Sequence, residues 1–265
     1  MKLPPPLWPP PPGGTWVIDL DGVIWLTGHP IPGAAEAVTL LRGAGVRVLF
    51  ATNNSAPTRS QLHRRMADCG ITVDDGDVLS SADVAASMLA PGSTAHVLAE
   101  EGVREALTAR GVHLVTTGPA DAVVVGWTKS FTFEALDAAA GSVRAGARLI
   151  GTNQDPTLPT PDGPVPGAGA LLAAVATAAE ATPEVAGKPH RPTAEAIGVR
   201  VPAGELRVVV GDRPSTDGAL AAQLGIPFAL VLSGVTKADG IPRDPQPATV
   251  AEDLAALVRA SLDHG

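Results

Sequence analysis

The feature that most constrains this chain is a pair of aspartates that ends an apolar run close to its start. Asp19 and Asp21 lie two positions apart, directly after the run 16–18. Two carboxylates held together away from water raise the free energy of the folded state unless a cation or a proton offsets their charge. The run therefore predicts a buried strand that ends at a metal site, and it predicts chemistry at that end.

Apolar runs alternate with helical patterns along most of the chain. Short apolar runs predict strands at 16–18, 46–51, 95–99, 122–125, 148–151, 207–211 and 228–231. Apolar residues at helical spacing predict helices at 33–43, 60–69, 101–109, 132–144, 171–179, 218–224 and 250–262. Such alternation favours an α/β fold with a doubly wound parallel sheet that is covered by helices on both faces.

The middle of the chain carries an alternating pattern of its own, which predicts a second α/β module inserted into the first. We expect a proline-rich leader at 1–14, a core made from 15–88 and 183–265, and an inserted domain at 89–182. The leader contains two proline clusters and no apolar stretch typical of a signal peptide. We therefore expect it to be an extended segment outside the core.

Composition narrows the classes of function. The chain has 265 residues, a formal net charge of −8 and 3% aromatic residues, which argues against nucleic acid as the main partner. No apolar run is long enough for a membrane span, so we expect no membrane partner. Cys69 is the one cysteine, so no internal disulfide can form, and a cytoplasmic location is predicted.

Polar residues follow several of the predicted strands. Ligands of open parallel sheets bind beyond the carboxyl ends of the strands. The residues at those ends that could carry chemistry are Asp19, Asp21, Thr52, Asn53, Asn54, Asp212 and Asp217, with Lys188 in a glycine–proline loop. Carboxylate oxygens suit Mg²⁺, whereas a lysine and a hydroxyl suit a phosphate group. Together the set predicts phosphoryl transfer through an aspartyl-phosphate.

Four motifs, in this order, resemble those of haloacid dehalogenase (HAD) superfamily phosphatases. They are Asp19-Leu20-Asp21-Gly22, Thr52-Asn53-Asn54, Gly187-Lys188-Pro189 and the stretch 211–217. The insertion between the second and third motifs resembles the large α/β cap, of the C2 type, found in NagD-like members of subfamily IIA. The resemblance implies a HAD core with an inserted α/β cap domain. It also implies Mg²⁺ as the cofactor and a small phosphorylated metabolite as the substrate.

The resemblance implies distinct roles for the acids. Asp19 would be the nucleophile and a metal ligand. Asp21 would be the general acid and then the general base, and its backbone carbonyl would bind Mg²⁺. Asp212 would be a carboxylate ligand of the metal, and Asp217 would order Lys188 or a metal-bound water.

The resemblance also implies how the phosphate is held. Thr52 and Asn53 would bind the transferring phosphoryl group, and Asn54 would support their loop. Lys188 would stabilise negative charge on the phosphoryl oxygens and on Asp19.

Substrate choice would lie with the cap. Asn153 and Asp155 are candidates for cap-side substrate contact, or they only shape a turn. The stretch 153–169 resembles relatives that act on glycerol phosphate or phosphoglycolate, and p-nitrophenyl phosphatases are also similar. Leu158 stands where relatives specific for pyridoxal phosphate carry a histidine, which argues against that substrate. A homodimer formed through the cap is compatible with the resemblance.

Other interpretations stay open at this point. A dehalogenase shares the nucleophile but does not need Asp21 or a metal cluster. A phosphotransferase or mutase keeps both acids, although the mutase cap usually lies between the first two motifs. A non-catalytic sugar-phosphate-binding protein could use the same fold. Asp217 could also cap the helix that starts at Gly218, a role compatible with the one above, and the stretch 52–55 could form only a turn and a helix cap.

Overall fold

The computed structural model describes residues 14–160, 162–202 and 204–262. The predicted leader at 1–14 lies outside the described residues apart from Gly14. The chain divides into two compact units. Unit 1 combines Met1–Thr52, His63–Leu79 and Ile197–Gly265, and unit 2 combines Asn53–Leu62 and Ser80–Ala196. The predicted domain boundaries stay a prediction.

Strands and helices alternate through both units. The strands are β1 (Gly14–Ile18), β2 (Trp25–Leu26), β3 (His29–Pro30), β4 (Val46–Thr52), β5 (Val78–Ser80), β6 (Thr94–Leu98), β7 (His113–Leu114), β8 (Ala122–Val125), β9 (Arg148–Gly151), β10 (Thr157–Thr160), β11 (Gly163–Pro166), β12 (Glu184–Val185), β13 (Leu206–Gly211), β14 (Phe228–Val231) and β15 (Thr249–Ala251). The helices are α1 (Ala34–Gly43), α2 (Arg59–Asp68), α3 (Ser81–Ser87), α4 (Glu101–Ala109), α5 (Phe133–Arg144), α6 (Ala168–Ala179), α7 (Arg191–Arg200), α8 (Ala219–Leu224) and α9 (Leu254–Leu262).

A six-stranded sheet, in the order β15-β14-β13-β1-β4-β5, organises unit 1. The pairs from β15 across to β4 are parallel. The central strand β1 is apolar on both faces, as expected for a parallel strand covered on both sides, and Trp16, Val17 and Ile18 are almost fully buried. Burial of side chains of this size stabilises the fold by roughly 1.5–3 kcal/mol each. The predicted parallel α/β fold is confirmed.

A second parallel sheet, in the order β12-β9-β8-β6-β7, organises unit 2. One layer of its core is a cluster of buried apolar residues that includes Val123, Val125 and Leu149 from the sheet and Leu172 and Val175 from α6. A hairpin of β10 and β11 follows β9 along the chain. Among the described residues, none of the helices is both long and apolar enough to cross a membrane.

The predicted closing helix at 250–262 is wrong at its start. Thr249–Ala251 forms β15, in which Val250 pairs with Leu230 of β14. The helix begins only at Leu254, because the carboxylate of Asp253 accepts a hydrogen bond from the backbone N–H of Ala256 at 2.7 Å and so caps it. The apolar residues at 250 and 251 fit helical spacing, but sheet pairing decides their conformation.

Candidate active site

Three aspartates meet at one edge of the unit 1 sheet. Ile18 of β1 pairs with Val210 of β13, so Asp19 and Asp212 leave neighbouring parallel strands at nearly the same height. Asp217 comes from the π-helical turn Pro214–Gly218 that follows. One carboxylate oxygen from each aspartate lies within 4.8 Å of the other two, and all three residues are buried.

Backbone groups and glycines hold Asp212 in this cluster. Its Oδ2 accepts a hydrogen bond from the backbone N–H of Val235 at 2.6 Å. A Cβ atom on Gly22 or on Gly234 would overlap the Asp212 carboxylate. Gly22 also has φ +85°, a conformation that side chains disfavour. The absence of side chains at the two glycines thus leaves room for the Asp212 carboxylate.

Asp217 is oriented by its own loop. Its Oδ2 accepts a hydrogen bond from the backbone N–H of Arg213 at 3.1 Å. The additional role predicted for Asp217, as a cap of the next helix, is wrong, since α8 begins at Ala219 without a side-chain cap. The side chain belongs to the acidic cluster, where it supplies a third carboxylate.

The electrostatics of the cluster call for a cation. At 4.8 Å, the upper limit of these separations, and an effective dielectric constant of about 20, two ionised carboxylates repel by about 3.5 kcal/mol. Nearby hard oxygen atoms are the ligands that Mg²⁺ prefers, and Mg²⁺ commonly keeps several of its waters beside one or two carboxylates. Asp19, Asp212 and Asp217 therefore fit a Mg²⁺ ion.

Asp21 stands apart from these three carboxylates in its bonding. Its Oδ1 accepts a hydrogen bond from the indole Nε1–H of Trp25 at 2.9 Å. The Trp25 ring is buried, and the Arg65 guanidinium lies 4.3 Å from its centre. Sequence reasoning missed Trp25. A tryptophan four residues after a carboxylate on a tight turn is a pattern that could have indicated this hydrogen bond. The indole fixes the orientation of the Asp21 carboxylate.

A second polar cluster lies in unit 2, around the side chain of Asn53. The Oδ1 atom of Asn53 accepts from the backbone N–H of Lys188 at 2.7 Å, and its Nδ2 donates to the Lys188 carbonyl at 3.1 Å. The same Nδ2 donates to Oδ2 of Asp155 at 3.2 Å. Lys188 is buried, with 5% of its surface exposed. The structure thus brings together the predicted residues Asn53, Asp155 and Lys188.

Asn153 joins this cluster from the loop after β9. Its Nδ2 donates to the backbone carbonyl of Asn53 at 2.7 Å, and its Oδ1 accepts from the backbone N–H of Asp155 at 3.0 Å. Ser81, which sequence reasoning missed, donates its hydroxyl to the same Asn53 carbonyl at 2.7 Å. Oδ1 of Asn54 accepts from the backbone N–H of Ala56 at 3.2 Å, which forms an Asx turn in the same loop.

Thr52 and His190 are two further polar residues near the motifs. Thr52 is the last residue of β4, in unit 1, and is 4% exposed. His190, in unit 2, lies 3.1 Å from Oε1 of Gln154 through its Nε2, and burial lowers the pKa of its imidazole. Its backbone N–H donates to the Gly187 carbonyl at 3.0 Å, so His190 helps to shape the loop that carries Lys188.

Comparisons with known proteins agree with this geometry. Residues 16–113 match the family model of haloacid dehalogenase-like hydrolases, and residues 185–257 match a second HAD-hydrolase-like model. A D-glycerol 3-phosphate phosphatase from Mycobacterium tuberculosis is 36% identical over 91% of this chain and 70% of its own length. A dihydroxyacetone phosphatase from Corynebacterium glutamicum is 33% identical over 92% of this chain and 90% of its own.

A solved structure is also similar over nearly the whole chain. The glycerol phosphate phosphatase from Mycobacterium tuberculosis in complex with magnesium superposes with a TM-score of 0.85 and 33% identity, over 96% of this chain and 79% of that one. Parallel sheets, ordered motifs and sequence identity together define the class. The chain belongs to the haloacid dehalogenase-like hydrolases, and within them to the NagD-like type.

Proposed function

We propose that this protein is a Mg²⁺-dependent phosphatase that hydrolyses small phosphorylated metabolites through an aspartyl-phosphate. The observation that carries the proposal is the buried group of Asp19, Asp212 and Asp217, whose oxygens lie within 4.8 Å of one another. The names of the relatives support it, since both curated relatives described above are phosphatases of three-carbon phosphates.

In the first half of the reaction, Asp19 acts as the nucleophile. A carboxylate oxygen of Asp19 forms a bond to phosphorus while the ester P–O bond breaks. Asp21 gives a proton to the leaving alkoxide oxygen, so the alcohol departs neutral. The Trp25 hydrogen bond to Oδ1 holds the Asp21 carboxyl in one orientation for this transfer.

In the second half, Asp21 changes from general acid to general base. The ionised Asp21 takes a proton from a water molecule, which attacks phosphorus as the bond from phosphorus to Asp19 breaks. Inorganic phosphate leaves, and Asp21 again carries the proton needed for the next cycle. The two aspartates thus differ in role, although they lie only two positions apart.

The phosphate also needs charge compensation. The carboxylates of Asp19 and Asp212 and the backbone carbonyl of Asp21 would hold Mg²⁺, and Asp217 would orient a metal-bound water or Lys188. When bound, Mg²⁺ supplies positive charge that offsets the carboxylates and the phosphoryl oxygens. The proposed roles of Thr52, Asn53 and Lys188 as phosphate-binding groups rest on the family resemblance.

For the substrate we propose a small phosphate ester of the glycerol phosphate, phosphoglycolate or sugar phosphate type. The relatives' names and the scarcity of aromatic residues support a small, unstacked leaving group. A cytoplasmic location and a homodimer formed through the inserted domain stay predictions, the latter testable by sedimentation.

The direct test measures phosphate release from glycerol 3-phosphate and related metabolites in the presence of Mg²⁺ or EDTA. Wild-type protein should turn over only with Mg²⁺, and Asp19→Asn should lose activity by on the order of 10⁴-fold or more. Asp239→Asn changes an exposed aspartate of unit 1 and serves as the matched control. Near-normal turnover by Asp19→Asn would contradict the mechanism. Binding of the phosphate esters by wild-type protein without any turnover would favour the non-catalytic alternative.

A further inference from the structure

The loop that follows β9 is built around a side chain far away in the sequence. Asn153 and Asp155 lie in this loop, and both bond to Asn53, about a hundred residues earlier in the chain. Asn153 fixes the backbone carbonyl of Asn53, and Asp155 fixes the side-chain amide. The loop therefore bonds to both the backbone and the side chain of Asn53.

The bonds of the Asn53 amide connect that loop to Lys188. A side-chain amide has two N–H donors and one carbonyl acceptor. The Nδ2 of Asn53 donates to the Lys188 carbonyl and to Asp155, and Oδ1 accepts from the Lys188 backbone N–H. The amide thus pairs with both backbone groups of Lys188 and uses its remaining donor on Asp155. The orientation of Asn53 and the position of the lysine loop are set together.

Gly187 shows how closely the lysine loop approaches this amide. A Cβ atom at this position would lie 2.5 Å from Oδ1 of Asn53 and 2.6 Å from the carbonyl oxygen of Thr152. Both distances are too short for real contacts, so the absence of a side chain is required. The lysine loop therefore contacts the Asn53 side chain on one side and the start of the loop after β9 on the other.

We propose that Asn153 and Asp155 are positioning residues, which fix Asn53 and the Lys188 loop in the geometry that phosphoryl binding requires. This inference rests on the proposed phosphatase function. Its distinctive content is the role assigned to Asp155, that of a hydrogen-bond acceptor for Asn53, which an uncharged amide oxygen can also fill. A carboxylate that contacted the substrate would act through its charge or through the shape of the leaving group, and would affect different substrates differently.

The test compares Asp155→Asn with Asp155→Ala. Asparagine keeps a side-chain oxygen that can accept from Asn53, whereas alanine removes the acceptor. We expect Asp155→Asn to keep kcat within about 3-fold of wild type, and Asp155→Ala to lower kcat by roughly 10- to 100-fold through misplaced phosphate-binding groups. The loss should be equal for glycerol 3-phosphate and p-nitrophenyl phosphate, with KM little changed.

Two results would overturn the inference. One is an Asp155→Asn variant as impaired as Asp155→Ala, because then the charge matters. The other is a loss that falls mainly on KM and differs between the two substrates, because then Asp155 contacts the leaving group. Asp137→Ala, an exposed aspartate of α5, is the control for removing an acid from unit 2.

A second measurement does not depend on activity. The backbone N–H of Lys188 is bonded to Asn53, so its hydrogen exchange reports whether the amide is still in place. We expect faster exchange at Lys188 in Asp155→Ala and wild-type exchange in Asp155→Asn. Unchanged exchange in a folded Asp155→Ala variant refutes the positioning role.

The two readouts separate the possible failures. Wild-type protein without phosphatase activity would refute the proposed function, while hydrogen exchange would still test the positioning. If Asp155→Ala does not fold, as judged by circular dichroism, Asn153→Asp replaces it, since that change puts a carboxylate oxygen in place of the donor to the Asn53 carbonyl. It should speed exchange at Lys188 and lower kcat for both substrates alike, and wild-type behaviour in both readouts would refute the inference.

Discussion

Each unit is organised by a parallel sheet, but the side chains that follow the strands differ in kind between the two units. In unit 1, β1 and β13 are followed by Asp19 and Asp212, which with Asp217 concentrate negative charge in a buried place. In unit 2, β9 is followed by Asn153 and by Asp155, whose oxygens bind to amides. The first set of side chains concentrates negative charge that a cation can offset, and the second set is joined by hydrogen bonds between its own members.

The comparison shows that a parallel sheet brings side chains together at the ends of its strands. The types of those side chains decide what they can bind. Like charges at one edge raise the free energy of the metal-free protein, so binding and stability are linked there. Interlocked amides lower the free energy of one loop arrangement without any ligand. We therefore expect metal to affect the first cluster strongly and the second only weakly.

The largest effect should come from Asp212→Asn. The variant keeps an oxygen for the Val235 N–H but removes one of three repelling charges, so the metal-free protein should become more stable, by about 2–4 °C in Tm for each kcal/mol relieved. Mg²⁺ should no longer raise Tm, and kcat/KM should fall by on the order of 1,000-fold. Thermal scans with EDTA and with Mg²⁺, together with phosphate-release assays, measure all three.

The control for Asp212→Asn is again Asp239→Asn, which should respond to Mg²⁺ like wild type. The comparison between the clusters fails if Asp212→Asn lowers Tm in EDTA and retains the full wild-type gain with Mg²⁺. Such a result would mean that repulsion among the three carboxylates does not destabilise the metal-free protein.

An intermediate effect is expected from Gly187→Ala in unit 2. The added methyl must displace Asn53 or the Thr152 carbonyl, so the free energy of unfolding should fall by about 1–3 kcal/mol. Gly198→Ala is the matched substitution, because Gly198 is exposed within α7 and has open space around it. That change should raise the free energy of unfolding by up to about 1 kcal/mol. Urea unfolding measures the change in the free energy of unfolding for both variants. An unchanged free energy of unfolding in Gly187→Ala would show that the lysine loop is not tightly fixed.

The smallest effect concerns an ion pair across the unit 2 sheet. Nε and Nη2 of Arg148 each donate to Glu184 at 2.8 Å, and these bonds lower the pKa of the Glu184 carboxyl. A lowered folded-state pKa stabilises the protein above the unfolded-state pKa, and this stabilisation is lost as pH falls through the folded-state pKa. Both side chains are nearly half exposed, so Glu184→Gln should cost only about 0.5 kcal/mol at neutral pH.

The pH dependence gives Glu184→Gln its own check. Urea unfolding should show the difference from wild type at pH 7, a smaller difference in high salt and none at a pH below the folded-state pKa. A difference that grows as the pH falls has the wrong sign and would exclude this ion pair as its origin.

Much of the fold and the acidic cluster could be predicted because they follow from local sequence. Strands 122–125, 148–151 and 228–231 agree with the structure at both ends, since short apolar runs between turns leave little choice. Asp19 and Asp212 were expected to meet because each directly follows such a strand. The role of each residue within the site stays a prediction that the proposed experiments address.

The bonds around Asn53 could not be predicted in the same way. Asn53 lies 102 residues from Asp155 and 135 from Lys188 along the chain, and no periodic pattern records which amide faces which oxygen. The start of the last helix was missed for a related reason, since the pairing of Val250 with Leu230 overrides the local spacing. Long-range hydrogen bonds decide both cases.

The contact between Trp25 and Asp21 gives the protein an optical reporter of its own. The chain has four tryptophans and no tyrosine, so its aromatic fluorescence is dominated by indole. The Trp25 indole bonds to the carboxylate that we propose carries the proton, and a guanidinium lies over its ring. Indole emission shifts with the electric field across the ring, so a change of charge at Asp21 would alter the colour or intensity of the emitted light without any attached dye.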